Sequence, residues 1–263
     1  RGTTTLPELR KAEVAVCLAT VIDRTARPNS PADGSACQAI SYAKAQGQLA
    51  YYRLLECQGK VRLLGDWPAL AAHWDAWACG GAEDPLGFIL AMEGADPIVS
   101  PDQVSDWWDD GLRVVGPTHY GVSAYCHGTG TEGGLTDLGA PLLRAMDEVG
   151  MILDLTHMSE GSFWESLEVF QGPVLASHNN CRALVPGDRQ FSDDQLKAIF
   201  QRNGVVGAVL DAWMLYPGWV RGQTTPEESG VTLEAVVDHI DHVCQLAGNA
   251  DHAAIGSDLD GGY

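Results

Sequence analysis

Residues 151–178, MILDLTHMSEGSFWESLEVFQGPVLASH, contain two short apolar runs that each end in a histidine. The runs are Met151–His157 and Pro173–His178, and an amphipathic segment separates them. Two such runs joined by a helical connection form a βαβ unit, in which the strands are parallel. The stretch therefore predicts neighbouring parallel strands whose C-terminal ends both carry an imidazole.

Five further runs of the same type predict additional strands, at Val14–Ile22, Gly87–Glu93, Leu112–His119, Val205–Leu210 and Ala253–Asp258. Two helices between them have clear boundaries. Asp137–Val149 is followed by Gly150, and Ser192–Arg202 opens with SDDQ, a capping-box pattern. This alternation predicts an α/β protein built on a parallel sheet, and the length of 263 residues fits one barrel domain over 1–263.

The stretch from about residue 24 to residue 86 breaks this rhythm, since its pattern indicates only one pair of helices. We interpret it as an insertion in the connection that follows the first visible strand. No internal repeat or low-complexity segment accompanies it.

Residues that can bind a metal or move a proton stand at the ends of the predicted strands: Glu93, His119, His157, His178 and Asp258. In α/β barrels the C-terminal strand ends converge over the catalytic face. Two histidines on adjacent strands can share one zinc ion, and a carboxylate can bridge two cations. The sequence therefore predicts a metal site at this edge.

Three aspartates at or beside these strand ends have other predicted roles. Asp258 can accept a proton from the attacking water, and Asp260, two residues further on, is the rival for that role. Asp154 points off the face that carries His157, so we expect it to make a supporting hydrogen bond and not to ligate a metal.

Composition excludes several classes of function. A net charge of −19 with only 16 dispersed Lys and Arg residues argues against a nucleic-acid partner. No apolar run reaches the roughly 18 residues that a membrane span needs, and no export signal is visible. Seven cysteines without a CxxC pair are interpreted as mostly buried thiols. These features predict a cytoplasmic protein.

Several blocks of the sequence resemble the membrane (renal) dipeptidase family. They are AMEGADPI at 91–98, GLRVVGPTH at 111–119, MDEVGMILDLTHMS at 146–159, PVLASHNNCRALVPGDRQFSDDQL at 173–196 and AIGSDLDGGY at 254–263. The resemblance covers most of the chain from about residue 87 onward. It implies a TIM-like (β/α)8 barrel, a homodimer, and hydrolysis of dipeptides with two zinc ions per chain.

The resemblance also implies roles for single residues. Glu93 falls on the glutamate that bridges the metals, and His157 and His178 fall on the histidines that complete one metal shell. His119 falls on the histidine that steadies the scissile carbonyl oxygen. The substrate carboxylate is assigned to Arg189 and the acid/base role to Asp258.

One motif of the family has no counterpart. The family's first strand ends in a His-x-Asp pair that ligates the second zinc, and nothing upstream of Val14 supplies it. The pairs His73/Asp75 and His239/Asp241 lie in helix-like stretches, where positions i and i+2 do not face each other. We therefore expect a chain that lacks the first strand and is incomplete at both ends.

Two other functions stay open. A related amidohydrolase would act on acylated amino acids or cyclic amides and often bridges its metals with a carboxylated lysine, but Lys11, Lys44, Lys60 and Lys197 all lie away from strand ends. A metal-poor barrel would serve only as a binding protein. Glu93 as the bridging group favours the dipeptidase.

Overall fold

The computed structural model describes residues 4–26, 34–80 and 84–259. Its strands are β1 Val16–Ile22, β2 Val61–Leu63, β3 Leu86–Glu93, β4 Leu112–Gly116, β5 Ile152–Asp154, β6 Val174–Leu175, β7 Val206–Ala208 and β8 Ala253–Ile255. Its helices are α1 Leu6–Lys11, α2 Gln38–Cys57, α3 Trp67–Gly80, α4 Val104–Asp109, α5 Gly139–Val149, α6 Glu160–Val169, α7 Asp193–Gln201, α8 Pro226–Ser229 and α9 Leu233–Ala247. Two short 3₁₀ turns occupy Pro101–Gln103 and Ala212–Met214.

The strands form a parallel series that confirms the predicted α/β fold. β1, β3, β4, β5 and β6 pair in that order, and β7 pairs with β8. A parallel bridge between Ala176 and Val206 joins β6 to β7. All seven predicted strands are present, and their order is the one expected of a TIM-like barrel. No ladder joins β8 to β1 within the described ranges.

The stretch predicted to be an insertion contains the expected helix pair, α2 and α3, and also a strand that the sequence pattern did not predict. β2 lies between the two helices and pairs in parallel with the first half of β3, from Val61 opposite Leu86 to Leu63 opposite Phe88. The strand has only three residues and a central arginine, so it lacks the apolar run that identified the others. The βα alternation thus continues through this stretch.

Most strands are shorter than predicted at their C-terminal ends. β4 ends at Gly116, β5 at Asp154 and β6 at Leu175, so three histidines that were placed on strands lie in the loops that follow. His157 has a φ of +67°, in the left-handed region that extended pairing cannot include. The strand ends of this face therefore pass directly into tightly ordered loops.

A buried carboxylate ties three of these loops together. Asp96, 2% exposed, follows β3. Its Oδ2 accepts hydrogen bonds from the backbone N–H and the hydroxyl of Thr25, each at 2.7 Å, and its Oδ1 accepts one from the N–H of Ala124 at 2.8 Å. Because Thr25 follows β1 and Ala124 follows β4, one side chain fixes the loops of three neighbouring strands.

The helices pack apolar faces onto the sheet and end as their sequences predict. α5 terminates at Gly150, whose φ of +83° is the left-handed cap conformation. α7 begins at Ser192 with the expected capping box, in which Ser192 and Gln195 exchange hydrogen bonds. Met146 of α5 and Phe163 of α6 are fully buried in the same core cluster as Leu153 of β5. These helices hold the strand ends of the central sheet in place.

No helix of the described chain is both long enough and apolar enough to cross a membrane. The seven cysteines are unpaired, but only part of the prediction about them is right: Cys126 and Cys181 are buried and Cys17 and Cys244 half-buried, whereas Cys37, Cys57 and Cys79 are exposed. The exposed three lie on or beside helices α2 and α3, whose outer faces meet solvent.

The two His-x-Asp pairs lie on helices α3 and α9, and in each pair the histidine is buried and the aspartate is exposed. His73 and His239 are 1% and 2% exposed, whereas Asp75 and Asp241 face solvent. The His73 Nε2–H donates to the carbonyl of Ala15 at 2.9 Å, since its Nδ1 accepts from Arg62. The helical geometry therefore keeps each pair from acting as a ligand pair, as predicted.

His239 supports the loop after β6 and predicts a pH-dependent stability. Its Nδ1 accepts the backbone N–H of Cys181 at 3.0 Å, and burial lowers the pKa of His239 to about 4. Because the folded pKa lies below the ordinary value of about 6.5, the neutral ring stabilises the fold above pH 6.5. This contribution, about 3 kcal/mol at most, is lost as the pH falls from 6.5 to 4.

Replacement of His239 by Gln should flatten that dependence, because the amide oxygen can accept the same bond without titrating. We expect the free energy of unfolding in urea to fall less steeply between pH 7 and pH 4.5 in H239Q than in the wild type. Equal slopes for the two proteins would contradict the assignment.

Candidate metal centre

Four of the predicted site residues lie at the C-terminal ends of consecutive strands. Glu93 is the last residue of β3, and His119, His157 and His178 each follow the last residue of β4, β5 and β6 by three positions. Because β3, β4, β5 and β6 are neighbours in one parallel sheet, their ends meet at the same edge. The strand order alone therefore brings the four side chains together.

The carboxylate of Glu93 lies at the centre of this cluster. Its Oε1 is 3.2 Å from Nε2 of His178, 3.3 Å from Nε2 of His157 and 3.6 Å from Nε2 of His119. The Nε2 atoms of His157 and His178 are 3.2 Å apart. Three imidazole nitrogens and one carboxylate oxygen thus converge within the reach of a single cation.

The outer nitrogens of two histidines show which way their rings are protonated. The Thr129 hydroxyl donates to the carbonyl of His157 at 3.2 Å, so it accepts the Nδ1–H of the same residue at 3.0 Å. The Ser177 hydroxyl likewise donates elsewhere and accepts the Nδ1–H of His178 at 2.8 Å. In their neutral form both rings therefore keep Nε2 free of a proton beside Glu93, and two such nitrogens with a carboxylate are a donor set that zinc prefers.

The pKa values of Glu93, His157 and His178 are shifted by burial and by their closeness to one another. Burial raises the pKa of Glu93, but the close contacts of its carboxylate with His157 and His178 outweigh this and hold that pKa well below its ordinary value. Burial lowers the pKa of His157 well below its ordinary value. For His178 the burial effect is exceeded by the bond to Glu93, so its pKa is raised. A positive charge beside the ionised Glu93 is thus favoured, either as a proton on His178 or as a metal cation that replaces that proton.

His119 differs from the other two histidines. Its Nδ1 lies 2.7 Å from Nη1 of Arg24, and a guanidinium can only donate, so Nδ1 accepts and Nε2 carries the proton. Burial lowers the pKa of His119 to about 4, and the charge of Arg24 adds to this. His119 therefore presents a neutral N–H donor toward the centre.

The distances between possible ligand atoms, taken alone, favour a set that contains His119 in place of His178. The ligand atoms of Glu93, His119 and His157 all lie within 4.8 Å of one another, which makes these three a compact candidate for holding an ion. The proton on Nε2 of His119 argues against ligation there, whereas His178 bonds to Ser177 through Nδ1 and has its Nε2 at the shortest distance to Glu93. We therefore favour the predicted set, Glu93, His157 and His178, over the compact one.

Arg189 lies in the loop after β6 with its guanidinium buried. It is 4% exposed, and its Nη2 donates to the carbonyl of His178 at 2.9 Å. Its Nη1 is also buried and has no hydrogen-bond partner among the described residues. Because a buried guanidinium needs a negative partner, the geometry suits an incoming carboxylate beside the centre.

Asp258 follows β8 and has a φ of +55°, a strained conformation of the kind that gathers at functional sites. Burial raises the pKa of Asp258 to about 6, and the charges of Glu93 and Asp211 add to the shift. Its rival Asp260 lies outside the described residues. Asp258 is thus a carboxyl poised near neutrality, which suits proton transfer.

Three residues of the site were not predicted from the sequence. Asp211 is the first residue after β7's predicted run, and the bond from Leu210 N–H to the Ser257 carbonyl, at 3.2 Å, brings it beside Asp258. The strand-end rule would have found it. Arg24 and Thr129 lie on loops far from their histidine partners in sequence, and no spacing pattern points to them.

The comparisons with known proteins agree with this arrangement. The model of the membrane dipeptidase family (peptidase family M19) matches residues 1–263. A protein of Acinetobacter calcoaceticus, described as an uncharacterized protein in the PQQ-III 3' region, is 31% identical over 171 residues, which are 62% of this chain and 52% of that protein. The dipeptidase tcpJ of Claviceps purpurea is 34% identical over 155 residues, which are 57% of this chain and 34% of that one.

A solved structure matches the fold over nearly the whole chain. The metallopeptidase of Rhodobacter sphaeroides, determined with a phosphinate mimic of the dipeptide L-Ala-D-Ala, superposes with a TM-score of 0.82 at 24% identity and covers 99% of this chain and 78% of that one. The chain spans about half the length of the curated relatives that it matches. With the family model matching from end to end, the chain belongs to the membrane dipeptidase family.

Proposed function

We propose that this chain carries the site of a zinc-dependent dipeptidase. The observation that carries the proposal is the convergence of the Nε2 atoms of His157 and His178 on the half-buried carboxylate of Glu93. Family membership supports it, as do the relatives named dipeptidases. The Rhodobacter neighbour was determined with a dipeptide mimic, which points to the same class of substrate.

Glu93, His157 and His178 would hold a zinc ion. When bound, zinc supplies a Lewis acid that polarises the scissile carbonyl and makes water nucleophilic at neutral pH. The family implies a second zinc, and the His-x-Asp pair that would hold it has no counterpart among the described residues. We therefore assign one metal shell to residues of this chain and expect the second from the family.

The other residues act on the substrate directly. His119 donates its Nε2–H to the carbonyl oxygen as negative charge develops there, which is the role that its protonation state suits. Asp258 takes the proton from the attacking water and passes it to the leaving amine. Each of these steps needs the side chain in the form that its surroundings favour.

Arg189 explains why the substrate would be short. The guanidinium forms a fixed fork that fits a free α-carboxylate, and its unpartnered Nη1 is available for that contact. A dipeptide has this carboxylate next to its scissile bond, whereas a longer peptide has another residue there. Recognition by Arg189 thus selects for length.

The alternative amidohydrolase chemistry has less support. A carboxylated lysine bridge requires a lysine at the centre, and all four lysines of the chain, at positions 11, 44, 60 and 197, are exposed. The cytoplasmic location and the homodimer expected from the sequence stay predictions, and light scattering of the purified protein would measure the assembly.

The central experiment measures zinc content and turnover together. We expect the purified protein to bind zinc, to hydrolyse members of a dipeptide panel that includes D-residues, to lose activity with a chelator and to regain it with zinc. A folded, zinc-loaded protein that cleaves no member of the panel would refute the dipeptidase. Failure to bind zinc would favour a metal-poor binding protein.

Two histidine variants separate a ligand from a donor. His178→Ala should lose bound zinc, because it removes a lone pair from the metal shell. His119→Asn should keep its zinc while kcat falls by about 10²–10³, the usual cost of one lost oxyanion donor. Zinc is measured by elemental analysis; loss of zinc from H119N with retention in H178A would reverse the two roles.

Arg189 predicts a dependence on the substrate carboxylate. Amidation of the dipeptide C-terminus should lower kcat/KM by roughly 10- to 100-fold in the wild type, because a charge-assisted pair is lost. Arg189→Lys should raise KM and shrink this ratio. Arg53→Lys, on helix α2 and paired with Asp110 at the surface, is the control and should leave the ratio unchanged.

A further inference from the structure

Asp154 accepts three hydrogen bonds behind the proposed metal shell. It is the last residue of β5 and is 8% exposed. Its Oδ1 accepts the backbone N–H groups of Thr156 and Ser177, both at 3.0 Å, and its Oδ2 accepts the hydroxyl of Ser177 at 2.5 Å. The two oxygens therefore serve different partners: one binds backbone and the other binds a single side chain.

The Ser177 hydroxyl passes this interaction to a histidine. Because its proton is directed at Asp154, its oxygen can only accept, and it accepts the Nδ1–H of His178 at 2.8 Å. The Thr156 hydroxyl, 3.3 Å away, can fill the remaining lone pair. An unbroken chain of hydrogen bonds thus runs from the Asp154 carboxylate through Ser177 to the imidazole of His178.

We infer that Asp154 is a positioning residue that acts through Ser177 to hold His178 as the stronger of the two histidine ligands. A carboxylate behind a ligating imidazole fixes the tautomer with Nε2 free, fixes the ring plane and increases electron donation to the metal. The inference rests on the proposed function, since it concerns the metal that Glu93, His157 and His178 would bind.

The second histidine provides the contrast within the same molecule. His157 also donates its Nδ1–H to a hydroxyl, that of Thr129, but this hydroxyl turns its proton to the carbonyl of His157 itself. No carboxylate among the described residues hydrogen-bonds to Thr129. Each histidine therefore donates its Nδ1–H to a hydroxyl, but only the hydroxyl bound to His178 donates in turn to a carboxylate. Thr129 thus serves as an internal control for Ser177.

A purely structural role for Asp154 is separable from the positioning role. The Oδ1 bonds to Thr156 and Ser177 hold the end of β5 to the end of β6 and do not involve the hydroxyl. Ser177→Ala keeps these backbone bonds and cuts only the connection to His178. Asp154→Asn keeps the shape of the side chain and removes its charge.

The test measures zinc affinity of the full chain by competition with a chelator, with zinc ions alone as the probe. We expect Ser177→Ala and Asp154→Asn each to raise the Kd for zinc by about 10- to 100-fold, the usual effect of losing such a partner. Thr129→Val removes a neutral partner and should raise the Kd by less than tenfold. The urea midpoint of metal-free S177A should match that of the wild type.

A nuclear magnetic resonance signature checks the same point without reference to affinity. In the zinc-loaded protein the Nδ1 proton of His178, bound to a hydroxyl that a carboxylate polarises, should resonate downfield of the Nδ1 proton of His157. Asp154→Asn should move the His178 signal upfield and leave the His157 signal in place.

The outcomes are distinguishable from those of the proposed function. If the wild type binds no zinc, the proposed function and this inference both fail. If the wild type binds zinc and S177A binds it equally well, the positioning role is wrong and the metal site stands. A Kd that rises in D154N but not in S177A would mean that Asp154 only holds the strand ends, and an equal rise in T129V would remove the proposed difference between the ligands.

Discussion

The ionised carboxylate of Glu93, enclosed by three imidazole rings, is the interaction on which the rest of the site depends. A negative charge that is partly withdrawn from water is costly unless positive or polar partners surround it, and here those partners come from the loops that follow three neighbouring strands. The parallel sheet makes this possible because it ends all the strands at one edge. Each histidine then lies only three residues beyond the end of its strand. The Asp96 carboxylate hydrogen-bonds to the loops after β1 and β4 and so holds them against the loop after β3.

Much of this arrangement could be predicted from the sequence because it obeys a simple rule. Apolar runs marked the seven strands, and the residues at their ends, Glu93, His157 and His178 among them, proved to be neighbours in space. The rule works because the hydrophobic effect fixes the strands and the parallel topology fixes their common direction. Helix ends followed from equally local chemistry, as the capping box at Ser192 shows.

What could not be predicted depends on contacts between loops. Nothing in the sequence links Arg24 to His119, 95 positions away, yet that contact decides which nitrogen of His119 bears the proton. The same holds for Thr129 and His157, 28 positions apart. Strand lengths were overestimated because buried apolar residues continue past the last strand residue, as Leu155 does after β5. Short β2, with a charged central residue, gave no apolar signal.

The charge of the chain poses a last question, since a protein with a net charge of −19 should repel an anionic substrate group. Salt screens exposed charges over about 8–10 Å, so acidic side chains on distant surfaces contribute little at the strand ends. A buried guanidinium is screened far less, and Arg189 is 4% exposed. Arg221, which stacks 4.8 Å from the ring of Trp213 and 5.9 Å from that of Tyr120, adds positive charge on the side where Tyr120 contacts His119 and His157. Close to the centre the buried Arg189 therefore dominates the field, with the exposed Arg221 nearby, and the acidic exterior and a carboxylate-binding site can coexist in one molecule.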